Sequence, residues 1–382
     1  MSGLRAIIEQ EIRECGPIPF SRYMELCLYH QELGYYSRHA EQFGKAGDFY
    51  TSSDMHAVFG RLLARQFDEM WRMLGSPSNI TVRELGPGRG LFAQDVMDWS
   101  EKKFPDFFEA LRYELVEKSP ALREKISQVL SRRLESGKAI LESSEESESS
   151  SIRSDGNHPP FIVFANEFFD AIPVEVVSCE GSLRIDIKDG KLIEIWVPSS
   201  EPESEYLHRY SVQPEKDERI EVGLQSRNLL ASRAEFSRGY FVAIDYGYTR
   251  EELLAGRHRG TLKAIRQHSV STSPYEAPGD QDITADVNFT ALAAGARENG
   301  MLAQKLVTQS QFLLGIGETN QFADAFEDCK VPQERAKVAL QLKHLITPAG
   351  MGESFHVLIA SKGVDPELTA SLAGLNFGQK RR

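Results

Sequence analysis

The stretch Ile80-Thr-Val-Arg-Glu-Leu-Gly-Pro-Gly-Arg-Gly-Leu-Phe92 decides the fold of this chain. Its first residues are β-branched and apolar, as in a buried strand, and the residues after Gly90 follow a helical pattern. Gly86, Gly88 and Gly90 lie between the two, where a missing Cβ lets the backbone approach a ligand closely. The stretch therefore predicts a strand, a tight turn and a helix, with a ligand bound at the turn.

The acid two residues before the first glycine, Glu84, narrows the choice of ligand. A phosphate at a helix N-terminus requires positive potential, whereas a carboxylate suits a ligand with ammonium or sulfonium charge, such as S-adenosylmethionine. The dinucleotide fingerprint also needs a small residue at the position that Leu91 occupies. A nicotinamide-dependent oxidoreductase nevertheless stays open as an alternative at this point.

Further strands alternate with helical patterns along the chain. Strands are predicted at 80–85, 111–117, 161–165, 174–197, 240–246 and 354–360. This alternation predicts an α/β fold, with a mostly parallel sheet and helices on both faces. Before the first of these strands, apolar residues at helical spacing predict an N-terminal helical region, with helices at 4–14 and 19–31 and a glycine-rich and aromatic loop from residue 34.

Polar residues stand at or just after four of the predicted strand ends: Glu84, Glu117, Asn166 with Glu167, and Asp245. Because the carboxyl ends of parallel strands meet at one edge of a sheet, these side chains should form one crevice. An acid in the place of Glu117 accepts hydrogen bonds from ribose hydroxyls in nucleoside-binding sheets. The alternative for Glu117 is a surface acid that precedes a helix.

The run Ala165-Asn-Glu-Phe-Phe-Asp-Ala-Ile-Pro173 presents three polar side chains, those of Asn166, Glu167 and Asp170. Two carboxylates three positions apart converge if the turn is helical. They could then hold a guanidinium group or accept its proton. The alternative is that Asn166 or Glu167 only caps a short helix.

Two later segments also contain candidate residues. Asp245, followed by Tyr246, is placed to face a substrate or the cofactor, or else is an ordinary strand-end acid held by loop amides. The polar segment 260–289 predicts a substrate-binding loop with His268 as a possible base. Asp282 in that segment either assists the reaction or caps the helix that follows. No histidine spacing supports a metal site.

Composition limits the partners. The net charge of -12, from 56 acids against 44 bases, argues against nucleic-acid binding but allows a basic peptide as substrate. Four cysteines without a close pair indicate reduced thiols. We find no run of apolar residues long enough for a membrane span, and acids come too early at the N-terminus for a signal peptide. We therefore expect a cytoplasmic protein, and its oligomeric state stays open.

Taken together, the motifs resemble one known family. They are Gly47-Asp-Phe-x-Thr51, Glu84-Leu-Gly-Pro-Gly-Arg-Gly90, Leu115-Val-Glu-x-Ser-Pro120, Ala165-Asn-Glu-Phe-Phe-Asp-Ala-Ile-Pro173, Asp245-Tyr-Gly247 and Asp282-Ile-Thr-Ala-Asp-Val-Asn-Phe289. In this order they are similar to the MidA-like class I methyltransferases, over the chain from Pro17 to about Ala360. The resemblance implies a seven-stranded Rossmann-like sheet whose last strand is antiparallel, S-adenosylmethionine as cofactor, and an arginine of a protein as the methyl acceptor.

Site residues follow from the motifs and this resemblance. For cofactor binding we predict Gly47, Asp48, Glu84, Gly86, Gly88, Gly90, Glu117 and Asn166. For catalysis we predict Glu167, Asp170, His268 and Asp282, and for substrate binding Asp245 and Tyr246. Mitochondrial members of the family are arginine methyltransferases and assembly factors for respiratory complex I. A non-catalytic assembly factor that binds the cofactor and a small-molecule methyltransferase are therefore the alternatives.

The predicted domain division has two parts. Residues 1–77 form the N-terminal helical region with a loop that covers the cofactor, and 78–382 form the methyltransferase domain. Within that domain, 136–160 is rich in serine and glutamate, too polar to pack, and is predicted to be a flexible insertion. Residues 248–320 are predicted to be an insertion that covers the substrate.

Overall fold

The computed structural model describes residues 3–38, 57–142, 159–233, 236–266, 269–271 and 273–378. Its N-terminal elements are α1 (Gly3–Cys15), β1 (Ile18–Pro19), α2 (Phe20–Tyr29), α3 (Tyr35–Arg38) and α4 (Ala57–Met73). The first two helices confirm the helical region, but α3 stands where the loop is predicted to begin. The buried side chain of Tyr35 fixes this short helix to the core.

The strand, turn and helix that begin at Ile80 are present at the predicted place. This part of the chain comprises β2 (Ile80–Leu85), α5 (Leu91–Lys103), α6 (Pro105–Ala110), β3 (Leu111–Val116), α7 (Pro120–Val129), α8 (Ser131–Glu135), β4 (Ala139–Glu142) and β5 (Phe161–Asn166). All six residues of β2 are buried. The predicted start of the flexible insertion at 136 is wrong, because β4 pairs in parallel with β3 from Ala139 onward. Residues 143–158 lie outside the described part.

A second, smaller sheet follows in the chain. Its region contains β6 (Glu175–Ser178), β7 (Gly181–Lys188), β8 (Lys191–Val197), α9 (Glu201–Tyr210), β9 (Ile220–Val222) and α10 (Leu224–Arg233). The strands β1, β7, β6 and β9 are antiparallel neighbours in that order, and β8 pairs with β7 through a turn at Asp189-Gly190. One apolar cluster joins this sheet to α1 and α2. The N-terminal helices are thereby fixed against it.

The remaining elements complete the main sheet and its helix layers. They are β10 (Gly239–Tyr248), α11 (Arg250–Leu254), β11 (Lys263–Arg266), β12 (Ser269–Val270), β13 (Asp282–Thr284), β14 (Val287–Asn288), α12 (Phe289–Glu298), β15 (Leu302–Ala303), β16 (Val307–Thr308), α13 (Gln309–Glu318), α14 (Ala323–Phe326), α15 (Pro332–Ile346), β17 (Phe355–Lys362) and α16 (Pro366–Ala370). Short 3₁₀ turns occupy Phe169–Ala171 and Ala373–Leu375.

The main sheet has the strand order β15-β17-β10-β5-β2-β3-β4. The five strands from β10 to β4 are parallel, and β17 runs antiparallel to β10. Two short strands, β14 and β16, are added beside β10 and β17. A large apolar cluster that includes α4 and α5 covers one face, and a second cluster that includes α12 covers the other. The predicted α/β class, with an antiparallel last strand, is confirmed.

The predicted substrate-covering insertion at 248–320 is too long at its C-terminal end. Phe289 and Leu292 of α12 are buried against the main sheet, and β15 and β16 pair with β17. The helix α12 and the strands β15 and β16 are therefore part of the main sheet and of the helix layer that covers it. Between β10 and α12, the chain instead forms a three-stranded sheet in the order β12-β11-β13. The two-domain division itself stays a prediction.

Candidate active site

The three glycines after β2 have different surroundings. All three have positive φ, of 63° at Gly86, 56° at Gly88 and 78° at Gly90. A Cβ on Gly86 would lie 2.7 Å from the Phe168 ring, and one on Gly90 would lie 3.3 Å from Ile126. A Cβ on Gly88 would meet no described atom within 4 Å. Gly86 and Gly90 are therefore required for packing, whereas Gly88 borders space that a ligand can enter.

Glu84 lies near the end of β2 with its carboxylate buried. The hydroxyl of Tyr113, on the neighbouring strand β3, donates to its Oε2 at 2.8 Å. Burial raises the pKa of Glu84 to about 8, the Tyr113 hydroxyl opposes this rise, and the charge of Glu117 adds to it. A buried carboxylate in this state is stabilised in its ionised form by a cationic ligand.

Glu117 follows β3 directly and is also buried. Its Oε1 accepts a hydrogen bond from the Ser119 amide at 2.8 Å. Burial raises its pKa to about 7, and the amides of Ser119, Gly88 and Lys118 oppose that rise. The contact with Gly88 ties this carboxylate to the glycine turn, as the predicted ribose site requires.

The loop after β5 is organised by Asp245. Its Oδ2 accepts hydrogen bonds from the amides of Phe168 at 3.1 Å, Phe169 at 2.9 Å and Asp170 at 3.3 Å. Its Oδ1 accepts one from the Tyr246 amide at 3.0 Å. These contacts match the alternative that the sequence left open, an acid held by loop amides. They leave the predicted substrate contact of Asp245 without support.

Glu167 and Asp170 do not share a helical face. Glu167 has a positive φ of 49°, and the 3₁₀ turn begins only at Phe169. Asn166 Nδ2 donates to Glu167 Oε1 at 3.2 Å, and the Glu167 amide donates to the Ile244 carbonyl at 2.9 Å. The two carboxylates nevertheless both lie near Asp245. Burial raises the pKa of Asp245 most, and the charges of Asp170 and Glu167 raise it further.

The two carboxyl oxygens of Asp170 have different surroundings. Its Oδ2 accepts a hydrogen bond from the Tyr246 hydroxyl, and this hydroxyl also contacts Thr284 Oγ1. Its Oδ1 is buried and has no hydrogen-bond partner among the described residues. Burial raises the pKa of Asp170 to about 6, whereas the Tyr246 hydroxyl and the amides of Ala171 and Asp170 oppose the rise. An unused oxygen on a buried acid is suited to accept a hydrogen bond or a proton from a bound molecule.

The N-terminal helices supply two tyrosines to the same place. The Tyr36 hydroxyl lies 3.4 Å from Asp282 Oδ1, and the Tyr29 hydroxyl donates to the Ala171 carbonyl at 3.0 Å. The Tyr36 carbonyl in turn accepts a hydrogen bond from Ser119 Oγ at 2.9 Å. Asp282 itself is buried at the start of β13. Tyr36 therefore connects the turn after Glu117 with Asp282.

Several of these acids lie close enough to Tyr29 and Tyr36 to affect the pKa values of their hydroxyls. Burial raises the pKa of Tyr29, and the charges of Asp170, Asp282 and Glu117 raise it further, in that order. The pKa of Tyr36 is raised in the same way by burial and then by Asp282. Of the predicted strand-end acids, Glu84 lies near Glu117, and Glu167 lies near Asp245. Their individual roles stay predictions.

Three of the predicted site residues, Gly47, Asp48 and His268, lie outside the described residues. Sequence reasoning missed three that the structure brings to these acids, namely Tyr29, Tyr36 and Tyr113, and it placed Thr284 in the predicted substrate-binding segment without predicting its contact with Tyr246. The only sequence signal was the aromatic content around residue 36, which was interpreted as a loop. Within the described ranges, no group of three or more His, Cys, Asp or Glu side chains is arranged for a metal ion, and no helix is long and apolar enough to cross a bilayer.

Comparison with known proteins identifies the class. The model of a family described as putative S-adenosyl-L-methionine-dependent methyltransferases matches residues 62–307. The chain is 30% identical to the mitochondrial protein arginine methyltransferase NDUFAF7 homolog of Drosophila melanogaster, over 94% of this chain and 84% of that protein. It is 26% identical to the human mitochondrial protein arginine methyltransferase NDUFAF7, over 91% of this chain and 80% of that protein.

A solved structure gives the same assignment. A likely methyl transferase from Burkholderia thailandensis, bound to S-adenosyl-homocysteine, superimposes with a TM-score of 0.79 and 26% identity, over 99% of this chain and 95% of that one. The chain therefore belongs to the MidA-like family of S-adenosylmethionine-dependent methyltransferases. It is an enzyme of that class, and S-adenosylmethionine is its cofactor. This finding decides against the nicotinamide-dependent alternative.

The residues present fit this cofactor. Open space beside Gly88 allows the backbone of the turn to approach the ligand. The buried carboxylate of Glu84 suits a cationic group, and the carboxylate of Glu117, beside the glycine turn, is of the kind that accepts hydrogen bonds from ribose hydroxyls. S-Adenosylmethionine has both features, a positively charged methionine portion and a ribose.

Proposed function

We propose that the enzyme transfers the methyl group to a guanidinium nitrogen of an arginine in a protein substrate. The observation that carries this proposal is a group of acids in one place: Asp170, whose buried Oδ1 has no hydrogen-bond partner among the described residues, with Asp282 and Glu167 nearby. A guanidinium group is a planar cation with five N–H donors, and carboxylates bind it strongly. The two relatives described above are named protein arginine methyltransferases, which supports the same acceptor.

The residues would divide the work as follows. Asp282 and Glu167 bind the guanidinium group and orient one nitrogen toward the cofactor, while Asp245 holds the loop that carries Asp170. When bound, S-adenosylmethionine supplies a methyl group whose bond to the sulfonium breaks as the new C–N bond forms, which leaves S-adenosylhomocysteine and one surplus proton on the nitrogen. Asp170 accepts that proton at Oδ1.

Burial of these acids has a second consequence. An isolated buried carboxylate is costly, and a cation that enters the crevice compensates several such costs at once. A neutral acceptor would leave the acids without compensation. The acidic composition of the whole chain, with a net charge of -12, also favours encounter with a basic segment of a protein.

The test identifies the modified residue. Purified enzyme and S-adenosylmethionine labelled on the methyl group are incubated with lysate from a strain that lacks this protein, and the label is mapped by mass spectrometry. We expect label on an arginine nitrogen of one or a few proteins. Label on a carboxylate, on carbon or on a small molecule would overturn the proposal.

The same experiment addresses the alternative of a cofactor-binding assembly factor. Tight cofactor binding without transfer to any lysate component would favour that alternative over arginine methylation. The cytoplasmic location expected from the sequence is likewise a proposal, which fractionation of the source cells would test.

A further inference from the structure

A chain of two hydroxyl groups ends at Asp170. Thr284 Oγ1 contacts the Tyr246 hydroxyl, and the Tyr246 hydroxyl donates to Asp170 Oδ2. Thr284 is buried on β13, Tyr246 lies near the end of β10, and Asp170 lies in the 3₁₀ turn after β5. Three separate parts of the fold are therefore needed to form this chain.

The chain has one direction. A phenol has a single proton, and a carboxylate can only accept, so the Tyr246 proton points to Asp170. Thr284 must then donate its own proton to the Tyr246 oxygen. Each hydrogen bond polarises the next one, so the threonine increases the strength with which the tyrosine donates.

The backbone fixes both ends of the chain. The amide of Ala285, next to Thr284, donates to the Asp170 carbonyl at 3.0 Å. The Tyr246 amide donates to Asp245, whose other oxygen accepts the Asp170 amide. The Tyr246 ring also packs edge-on against Phe355, with centroids 5.5 Å apart and an angle of 73° between the ring planes. The carboxyl group of Asp170 is thus restrained in rotation, with Oδ2 occupied and Oδ1 left over.

We propose that Thr284 and Tyr246 are positioning residues, which hold Asp170 so that Oδ1 alone is presented to the methyl acceptor. This inference rests on the proposed function for the identity of the acceptor, but the hydroxyl chain can be tested without any acceptor. Loss of the chain would let the carboxyl group rotate and would make its ionised form less stable.

Several charged or titratable groups surround Asp170, and a test must keep them unchanged. They are Asp245 and Tyr246 on β10, Glu167 in the preceding loop, Lys263 on β11, Asp282 on β13, Asp286 after it, and Tyr29 and Tyr36 from the N-terminal helices. The variants Tyr246→Phe and Thr284→Val remove hydroxyls and change no charge at neutral pH. Any change they cause at Asp170 therefore arises from the hydrogen bonds.

The experiment follows the carboxyl carbon of Asp170 by NMR in full-length protein labelled with ¹³C at the aspartate side chains, with no acceptor present. The Asp170 signal is identified by its absence in Asp170→Asn. We expect Tyr246→Phe to move the pH midpoint of this signal upward by about one pH unit. Thr284→Val should move it in the same direction by about half as much, and Thr284→Ser should restore the wild-type midpoint.

Tyr240→Phe is the matched control, because Tyr240 is a buried tyrosine at the opposite end of the same strand. It should leave the Asp170 midpoint unchanged. An unchanged midpoint in Tyr246→Phe, or a Thr284→Ser variant that behaves like Thr284→Val, would overturn the inference. If the midpoints move as expected while the lysate experiment labels no arginine, the proposed acceptor is wrong and the hydroxyl chain stands. Thermal unfolding of each variant shows whether a change at Asp170 arises from a loss of the fold or only from the loss of the hydroxyl chain.

Discussion

The two sets of residues predicted to bind the cofactor and the methyl acceptor differ in how far apart their members lie in the sequence. The cofactor wall is the name used here for the predicted cofactor-binding residues Glu84, Gly86, Gly88, Gly90 and Glu117, which lie on and after two neighbouring parallel strands. The acceptor wall consists of Asp170, Tyr246, Asp282, Thr284 and Tyr36, which come from four parts of the chain. The cofactor wall is therefore a local motif, whereas the acceptor wall exists only when the N-terminal helices and the small sheets pack onto the main one.

This difference in construction has a functional meaning. The cofactor is constant, so the wall that binds it depends on a turn that the backbone itself determines. The acceptor wall depends on side chains held by other side chains, such as the Tyr246 hydroxyl on Asp170. We expect substitutions in the cofactor wall to abolish binding and substitutions in the acceptor wall to reduce transfer while binding persists.

The largest effect is expected in the acceptor wall, at Asp170→Asn. The amide cannot accept a proton, so incorporation of labelled methyl into lysate proteins should fall by about 10² to 10⁴. Cofactor affinity, measured by calorimetry with S-adenosylhomocysteine, should change by less than about threefold. Asp106→Asn, at an exposed acid in the first turn of α6, serves as the control and should keep full activity. Equal loss of transfer and of cofactor affinity would contradict the separation of the two walls.

The next largest effect is expected at Gly88→Val in the cofactor wall. Valine would both fill the open space beside the turn and strain a backbone with φ of 56°. Affinity for S-adenosylhomocysteine should fall by about 100-fold or more.

Gly137→Val separates these two causes. Gly137 also has a positive φ, of 70°, and open space around its missing Cβ, but it lies in the turn before β4. Both variants should lose about 1–2 kcal/mol of stability through the same strain. Only Gly88→Val should lose cofactor binding. Wild-type affinity in Gly88→Val would remove this turn from the binding site.

The residues of the cofactor wall could be predicted from the sequence more fully than those of the acceptor wall. The glycine turn, Glu117 and the strands β2, β3, β5, β10 and β17 were predictable because glycine content, apolar runs and spacing are local features. Tyr36 and Thr284 were not, because neither residue has a sequence neighbour that indicates its contact, and each meets Asp282 or Tyr246 only through tertiary packing. Asp245 was correctly placed at a strand end, but position alone could not distinguish a substrate contact from an anchor for loop amides.

A smaller effect, dependent on pH, is expected at Glu84. Its pKa of about 8 in the folded protein lies above the value of 4.5 for an unperturbed glutamate. Between these two values the unfolded chain releases a proton that the folded protein retains, so stability of the cofactor-free enzyme should decrease as pH rises from about 4.5 to about 8. The thermal unfolding temperature of Glu84→Gln should decrease less over this range.

Cofactor binding should show the opposite dependence. A cation binds the ionised form of Glu84, so affinity for S-adenosylmethionine should increase by about tenfold between pH 6 and pH 8. In Glu84→Gln, the affinity should change with pH only through ionisation of the ligand. The difference between the two proteins therefore measures the contribution of Glu84. Parallel curves for the two proteins would show that this carboxylate is not linked to binding. At pH 8 the variant should bind about tenfold more weakly.

The smallest effect is expected at Tyr36→Phe, where the two walls meet. The contact of its hydroxyl with Asp282 is long, at 3.4 Å, so transfer should fall by only about two- to fivefold. Ser119→Ala removes the hydrogen bond that holds the Tyr36 backbone and also a cap of α7, so it costs stability as well. The double variant Ser119→Ala with Tyr36→Phe shows whether the two residues act together, because non-additive effects on transfer measure their coupling. If Tyr36 transmits the position of the Glu117 turn to Asp282, then Tyr36→Phe should have no further effect on transfer once Ser119 is replaced. Additive losses would mean that the two walls are adjacent but independent.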